Sequence, residues 1–265
     1  MTYTTLEFTV GDGIGRIRLN RPDRLNAMSL DMIEEINAVL DICASDANVR
    51  CVMFTGTGRG FCAGADLSSL SERSRDANGQ VDVGSSMDRL FNPMMRRIRG
   101  LAKPVVAAVN GVAAGGGANL ALACDIVVAA RSARFDQAFV RISLIPDLGG
   151  TWFLPHMVGD ARARALAMLG TSVPAEQAQA WGMIWQVVDD AALDAEATAL
   201  AKRLADGPTL ALGSIKKAIN AAHTNDLSAQ LDMERDLQRA LGRSADFAEG
   251  VGAFLQKRPA KFAGR

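Results

Sequence analysis

The sequence predicts an α/β fold in which strand–strand–helix units recur over residues 1–200 and a helical region fills 201–265. Three observations lead there. Short apolar runs bounded by turn residues alternate with helical periodicity in the first part of the chain. Two of those runs end in glycine-rich turns. Beyond Asp160 the composition is almost wholly helical. A repeated strand–strand–helix unit points to a stacked ββα spiral and not to a plain doubly wound sheet.

The elements follow in order. Leu6–Val10 and Gly15–Asn20 read as strands around the turn Gly11-Asp12-Gly13, a hairpin. Ser29 is placed to cap a helix reaching Ala44, with Leu30, Ile33, Ile36, Val39 and Leu40 on one face. Val49–Thr55 is a buried strand. Ser71–Ser86 is polar and reads as a mobile loop. Met87–Gly100 is helical in pattern but contains Pro93, which predicts a kink or an interruption. Its Met87, Leu90, Phe91, Met94 and Met95 form a core stripe or line an acyl pocket. Pro104–Asn110 is a strand, Ala118–Cys124 a short apolar helix and Ile126–Ala130 another strand. Leu193–Leu204, Thr209–His223 and Leu227–Gly242 are amphipathic helices.

Composition excludes several functions. With 265 residues, 49% of them hydrophobic, the chain can bury a sizeable core. Lys+Arg and Asp+Glu are both 29, so no basic excess supports nucleic-acid or membrane binding. The run Arg96-Arg97-Ile98-Arg99 reads as a solvated helix face. Cys43, Cys51, Cys62 and Cys124 form no CxxC pair and sit in apolar stretches, as reduced thiols of a cytoplasmic protein do. No metal-ligand spacing, signal peptide or membrane span is expected.

Candidate chemistry lies in the turns Gly60–Asp66 and Asn110–Gly117. Neither is followed by the Gly-Lys-Ser/Thr of a phosphate loop, and neither matches GxGxxG. Small residues let a substrate approach backbone N–H groups, and the second turn opens a helix whose N-terminus adds partial positive charge. Such turns either build an oxyanion hole or simply pack a strand against a helix. Asp147, after Pro146, either caps the next helix or serves as an acid–base group.

Taken together, Asn20-Arg21-Pro22 with Leu25-Asn26-Ala27, Gly60–Asp66, Asn110–Gly117, Cys124-Asp125-Ile126 and Ile145–Gly150 resemble the crotonase, or enoyl-CoA hydratase/isomerase, superfamily over essentially the whole chain. The resemblance implies a crotonase-like ββα spiral and a C-terminal helical region used in trimerisation, giving a homotrimer or a dimer of trimers. It implies an acyl-CoA substrate whose CoA is part of the substrate, so no separate cofactor. By matching positions it places oxyanion donors at Ala63 and Gly116, and CoA-lining backbone at Arg24, Leu25, Ala65, Asp66 and Leu67.

Hydratases of that family use two glutamates, which fall here at Asn119 and Phe139. Neither residue exchanges protons near neutral pH, so two-carboxylate hydration is not expected. An acid in the Ile-Pro-Asp-x-Gly-Gly context is similar to the sole base of several isomerases. The resemblance therefore implies proton transfer by Asp147; Asn119 either orients the aspartate or the substrate by hydrogen bonding or is simply a polar residue of the helix. Burial beside Phe139, Leu144, Ile145 and Trp152 is expected to raise the pKa of Asp147. The stretches Ser86–Pro93, Gly149–Trp152, Trp181–Asp190 and Gly242–Asp246 are similar to isomerases of bacterial phenylacetate degradation. They imply conversion of a ring-1,2-epoxide of phenylacetyl-CoA to an oxepin, or a 3-enoyl to 2-enoyl shift. The alternatives are a general Δ3,Δ2-enoyl-CoA isomerase, an aryl-CoA dehalogenase with a nucleophilic aspartate, and a non-catalytic acyl-CoA-binding protein.

Overall fold

The opening hairpin forms as expected: β1 (Leu6–Gly11) and β2 (Ile14–Leu19) pair antiparallel, with Leu6 opposite Leu19. The computed structural model describes residues 3–69 and 75–265. Helix α1 (Leu30–Ser45) starts at Ser29, whose Oγ accepts the Met32 N–H at 3.2 Å. Such a cap stabilises a helix by about 1 kcal/mol. Its apolar stripe, Ile33, Ile36, Val39 and Leu40 among others, is buried.

β3 (Cys51–Gly56) is buried at every position, as a strand covered on both faces must be. It is followed by the three-residue β4 (Gly60–Cys62). The pattern then repeats. β5 (Val105–Val109) leads to β6 (Val112–Ala114), and β7 (Ile126–Ala130) to β8 (Arg134–Asp136). The first strand of each pair joins a six-stranded sheet ordered β1-β2-β3-β5-β7-β10. The second joins a four-stranded sheet ordered β4-β6-β8-β9. Each ββα unit therefore makes one turn of a spiral, stacking parallel on the last.

Between the first and second units lie a short helix (Val83–Ser86), a wide π turn (Met87–Phe91) and α2 (Asn92–Gly100). The interruption expected from Pro93 takes this form. Pro93 falls in the first turn of α2, where its missing N–H breaks no helical bond. Leu90, Phe91, Met94 and Met95 join the hydrophobic core. Residues 71–74 of the expected loop lie outside the described residues; Arg75 to Val81 form a turn closed by an isolated bridge between those two residues. Helix α3 (Gly116–Ala123) is buried throughout.

The second half departs from its helical expectation. After α4 (Gly150–Val158) and α5 (Asp160–Leu169) comes β9 (Ser172–Pro174), which closes the small sheet antiparallel to β8. After α6 (Ala175–Ala180), β10 (Gln186–Val188) adds the last parallel strand of the large sheet. Three-residue edge strands carry too little alternation to be read from sequence. The expected division at residue 200 falls inside α7 (Leu193–Asp206), whose buried Ala197, Ala201 and Ala205 line the face packed on β3, β5 and β7. Helices α8 (Thr209–Ala222), α9 (Leu227–Leu241) and α10 (Ala245–Leu255) follow.

Several polar contacts tie α8 to the core, Lys216 and Asn220 among them. Lys216 is 7% exposed and donates to the Ile98 carbonyl at 2.7 Å and to Asp125 Oδ2 at 2.9 Å. The same carboxylate oxygen accepts the Val105 N–H at 2.7 Å. Burial lowers the Lys216 pKa and raises that of Asp125, and each partner opposes the shift of the other.

Candidate active site

Both glycine-rich turns stand at the C-terminal ends of neighbouring small-sheet strands, β4 and β6. Close approach between them demands glycine. Gly64 has φ of +100°, and a Cβ there would lie 2.9 Å from the Ala114 carbonyl and 3.6 Å from the Gly116 nitrogen. A Cβ on Gly117 would meet the Cys62 carbonyl at 2.1 Å, so α3 lies directly on β4. The turns therefore converge on one another.

Hydrogen bonding decides which N–H groups remain open to a substrate. The Ala63 N–H donates to the Leu25 carbonyl at 2.9 Å, so it is already spent, against the expectation that it serves the oxyanion. The Met28 N–H donates to the Gly64 carbonyl and the Asp66 N–H to the Met28 carbonyl, which turns the intervening Ala65 N–H away from this pairing. Among the described residues, the N–H groups of Ala65 and Gly116 meet no acceptor. Gly116 opens α3, where first-turn N–H groups have no helical partner.

Asp147 sits in the loop before α4. Its side chain does not cap that helix: the cap position is Gly149, with no side-chain hydrogen bond. Asp147 Oδ1 is buried with no hydrogen-bond partner. Desolvation by burial raises its pKa to about 6. The expected direction is met, but not by all the expected neighbours. Ile145 is 76% exposed, and Leu144 and Trp152 are exposed too, whereas Phe139 and Leu148 are buried. A Cβ on Gly116 would lie 3.5 Å from Leu148 Cδ1, and one on Gly115 3.7 Å from Phe139 Cζ, so the aspartate loop flanks the second glycine turn.

Asn119, fully buried, holds this loop by its backbone. Its Nδ2 donates to the Asp147 carbonyl at 2.8 Å, and its Oδ1 accepts from Gln137 Nε2 at 2.9 Å. Gln137 was not singled out in the sequence; a buried glutamine in a strand-to-turn segment leaves no periodic signal. The amide pair therefore sets the position of Asp147 without touching its carboxylate. Asn119→Ala is expected to lower kcat roughly 10–100-fold through misplacement of the base, with the acidic limb of the pH profile unmoved. Steady-state kinetics across pH check it; an unchanged kcat would deny the positioning role.

The remaining expected residues divide by what they do. Asp66 is held to about 2 by the Ser68 hydroxyl first and by Arg21, to which it is ion-paired at 2.8 Å. It anchors the Ala65 turn and is no base near neutral pH. Arg24 is exposed, with Asp23 as a distant partner at 3.8 Å. Leu25 has φ of +49°, and Leu67 is half-exposed beyond the Ala65 turn. The Cys62 thiol, fully buried, is pushed up to about 12, which removes it as a nucleophile.

The fold is a ββα spiral of the α/β class, with two glycine turns that converge and a carboxylate beside the second of them. Residues 9–265 match the family model described as enoyl-CoA hydratase/isomerase, and the chain belongs to that family. It is 54% identical to the 1,2-epoxyphenylacetyl-CoA isomerase of Escherichia coli K12 over 257 residues, 97% of each chain. It is 33% identical to the trans-2-decenoyl-[acyl-carrier-protein] isomerase of Streptococcus mutans, covering the whole of both. The crystal structure of an enoyl-CoA hydratase from Bacillus anthracis superposes with a TM-score of 0.92 at 32% identity, over 99% of this chain and 100% of that one.

Proposed function

We propose that the protein is an acyl-CoA isomerase of phenylacetate catabolism that converts ring-1,2-epoxyphenylacetyl-CoA to the oxepin-CoA and also shifts a 3-enoyl-CoA double bond to the 2-position. The observation that carries this reading is the carboxylate of Asp147, with a buried, open oxygen in the loop that flanks the second glycine turn and its unspent Gly116 N–H. Asn119 and Phe139 occupy the positions where hydratases of the family place two glutamates.

In the double-bond shift, Asp147 takes a proton from the α-carbon of the 3-enoyl thioester, leaving a dienolate. The charge gathers on the thioester oxygen, which the Gly116 and Ala65 N–H groups receive; each such donor lowers a barrier by about 2.7–4 kcal/mol. The protonated acid returns the proton to the γ-carbon, moving the double bond into conjugation. Nothing is gained or lost, so neither water nor a separate cofactor takes part. A carboxylate with pKa about 6 is ionised at neutral pH yet basic enough for the transfer.

A homotrimer or dimer of trimers accompanies this reading. Ile215, Ile219, Leu231, Phe247 and Phe254 on the C-terminal helices are exposed in the single chain, an apolar surface of the kind oligomers cover. The test is turnover of both substrates by the purified protein, followed by chromatographic identification of the products, with light scattering to weigh the particle. Oxepin-CoA and 2-enoyl-CoA are expected, from a particle of three or six 28.1 kDa chains. Hydration of a 2-enoyl-CoA to the 3-hydroxy ester as the sole activity would sink the isomerase reading.

A further inference from the structure

The two histidines of the chain meet at one place. His156 lies in the last turn of α4 and His223 caps the C-terminus of α8, with ring centroids 4.4 Å apart and ring planes at 73°. Trp152, one turn earlier on α4, touches both, at 4.6 Å from His156 and 4.7 Å from His223. The guanidinium of Arg99, on α2, stands 5.8 Å over the Trp152 ring and 5.5 Å over that of Phe153. Arg99 is also held to α8: its guanidinium donates to Asn220 Oδ1, and its carbonyl accepts from Asn220 Nδ2 at 3.0 Å. Three helices distant in sequence are joined here by rings and one cation. Of these, α4 begins at Gly150, directly after the turn that carries Asp147.

The charges that act on His223 are His156 from α4 and Arg99 from α2, both cationic when protonated. Carboxylates of the same region are engaged elsewhere. Asp226 caps α9, where its Oδ1 accepts the Ala229 N–H at 2.8 Å, and Asp125, which acts on Arg99, is paired with Lys216 at 2.9 Å. His156 Nδ1 lies 2.6 Å from the Trp152 carbonyl, which only accepts, so Nδ1 carries the hydrogen and titration takes place at Nε2. Neutral imidazoles pack here without charge, whereas two protonated rings would set like charges side by side, next to a third on Arg99. Desolvation first, then His156 and Arg99, lower the His223 pKa from its ordinary 6.5. Just below that value the folded chain therefore binds fewer protons than the unfolded one. The contact is complete above it and is lost as pH falls through the window beneath.

We propose that Trp152, His156, His223 and Arg99 form a pH-sensitive clasp that holds the end of α8 against α4 and loosens when both imidazoles carry protons. The clasp is independent of the proposed reaction, which uses none of these side chains. Hydrogen exchange read by mass spectrometry at about pH 7.5 and about pH 5, corrected for the intrinsic pH dependence of exchange, tests it. Peptides covering α4 and the end of α8 are expected to lose protection roughly fivefold or more at the lower pH, while α1 keeps its own. His223→Phe keeps a ring that cannot titrate and is expected to remove most of that loss. His223→Lys places a fixed cation in the contact and is expected to show low protection at both pH values. The position is exposed, so both variants keep the fold, as thermal melting verifies. Asp147→Asn is expected to retain the full response, which separates the clasp from titration of the acid at about 6.

Unchanged protection in the wild type at the lower pH would overturn the proposal. So would an equal loss in His223→Phe, or wild-type protection of His223→Lys at the higher pH. A response that vanishes in Asp147→Asn would belong to the acid and overturn the clasp as well. Because exchange is read without turnover, failure of the clasp leaves the isomerase reading standing, and absence of isomerase activity leaves the clasp standing.

Discussion

Asp147→Asn is expected to lower turnover of both substrates roughly 10²–10⁴-fold while leaving acyl-CoA binding in place. The amide is nearly isosteric but accepts no proton, so the dienolate never forms. In the wild type, kcat/KM is expected to rise tenfold per pH unit below about 6 and to level off above it, because only the ionised acid is a base. The same substitution is expected to stabilise the fold. Burial favours the protonated acid, so the folded chain binds more protons than the unfolded one between the usual carboxylate value of about 3.9 and 6. Stability therefore falls as pH rises through that window, and the loss persists at pH 7. Removing the charge recovers up to about 3 kcal/mol there. Denaturant unfolding of both proteins at pH 4 and pH 7 measures it: the gain appears at pH 7 and shrinks at pH 4. Full activity in Asp147→Asn would remove it as the base; an inactive variant with no stability gain would contradict its burial as a charge.

Lys216→Met is expected to cost about 3–5 kcal/mol of stability. Methionine fills much the same space, so the loss is electrostatic. Asp125 would stay buried without its cation, and the Ile98 carbonyl would lose its donor. The effect is expected to exceed that of any exposed pair, such as Arg164–Asp160, whose attraction is screened by solvent. Urea unfolding of the single variant decides between them. A loss below about 1 kcal/mol would show that the pair does not hold α8 to the core.

The positioning of the candidate acid, Asp147, illustrates how far local chemistry reaches. Pro146-Asp147-Leu148-Gly149-Gly150 is legible in the sequence as a turn with a carboxylate, but both a helix cap and a base fit it. The difference lies in where the side chain meets solvent, and that depends on the packing of Phe139 and Leu148 and on the hold of Asn119 from another element. Ala63 and Ala65 make the same point. Both follow β4, two residues apart, and neither has side-chain chemistry; only the partner of each N–H separates them.

The sequence by itself determined the long elements, the hairpin, the Ser29 cap and the recurrence of ββα units, because hydrophobic period and capping residues act over neighbouring positions. It also singled out two glycine turns and one Ile-Pro-Asp segment as candidates for the chemistry. Only the tertiary structure decided that alternate strands part into two sheets, that β9 and β10 complete them, and that Ala65 and not Ala63 keeps a free donor. Strand partners, open N–H groups and buried carboxylates are relations between distant segments, and their free energies arise from pairing and desolvation that no local pattern encodes.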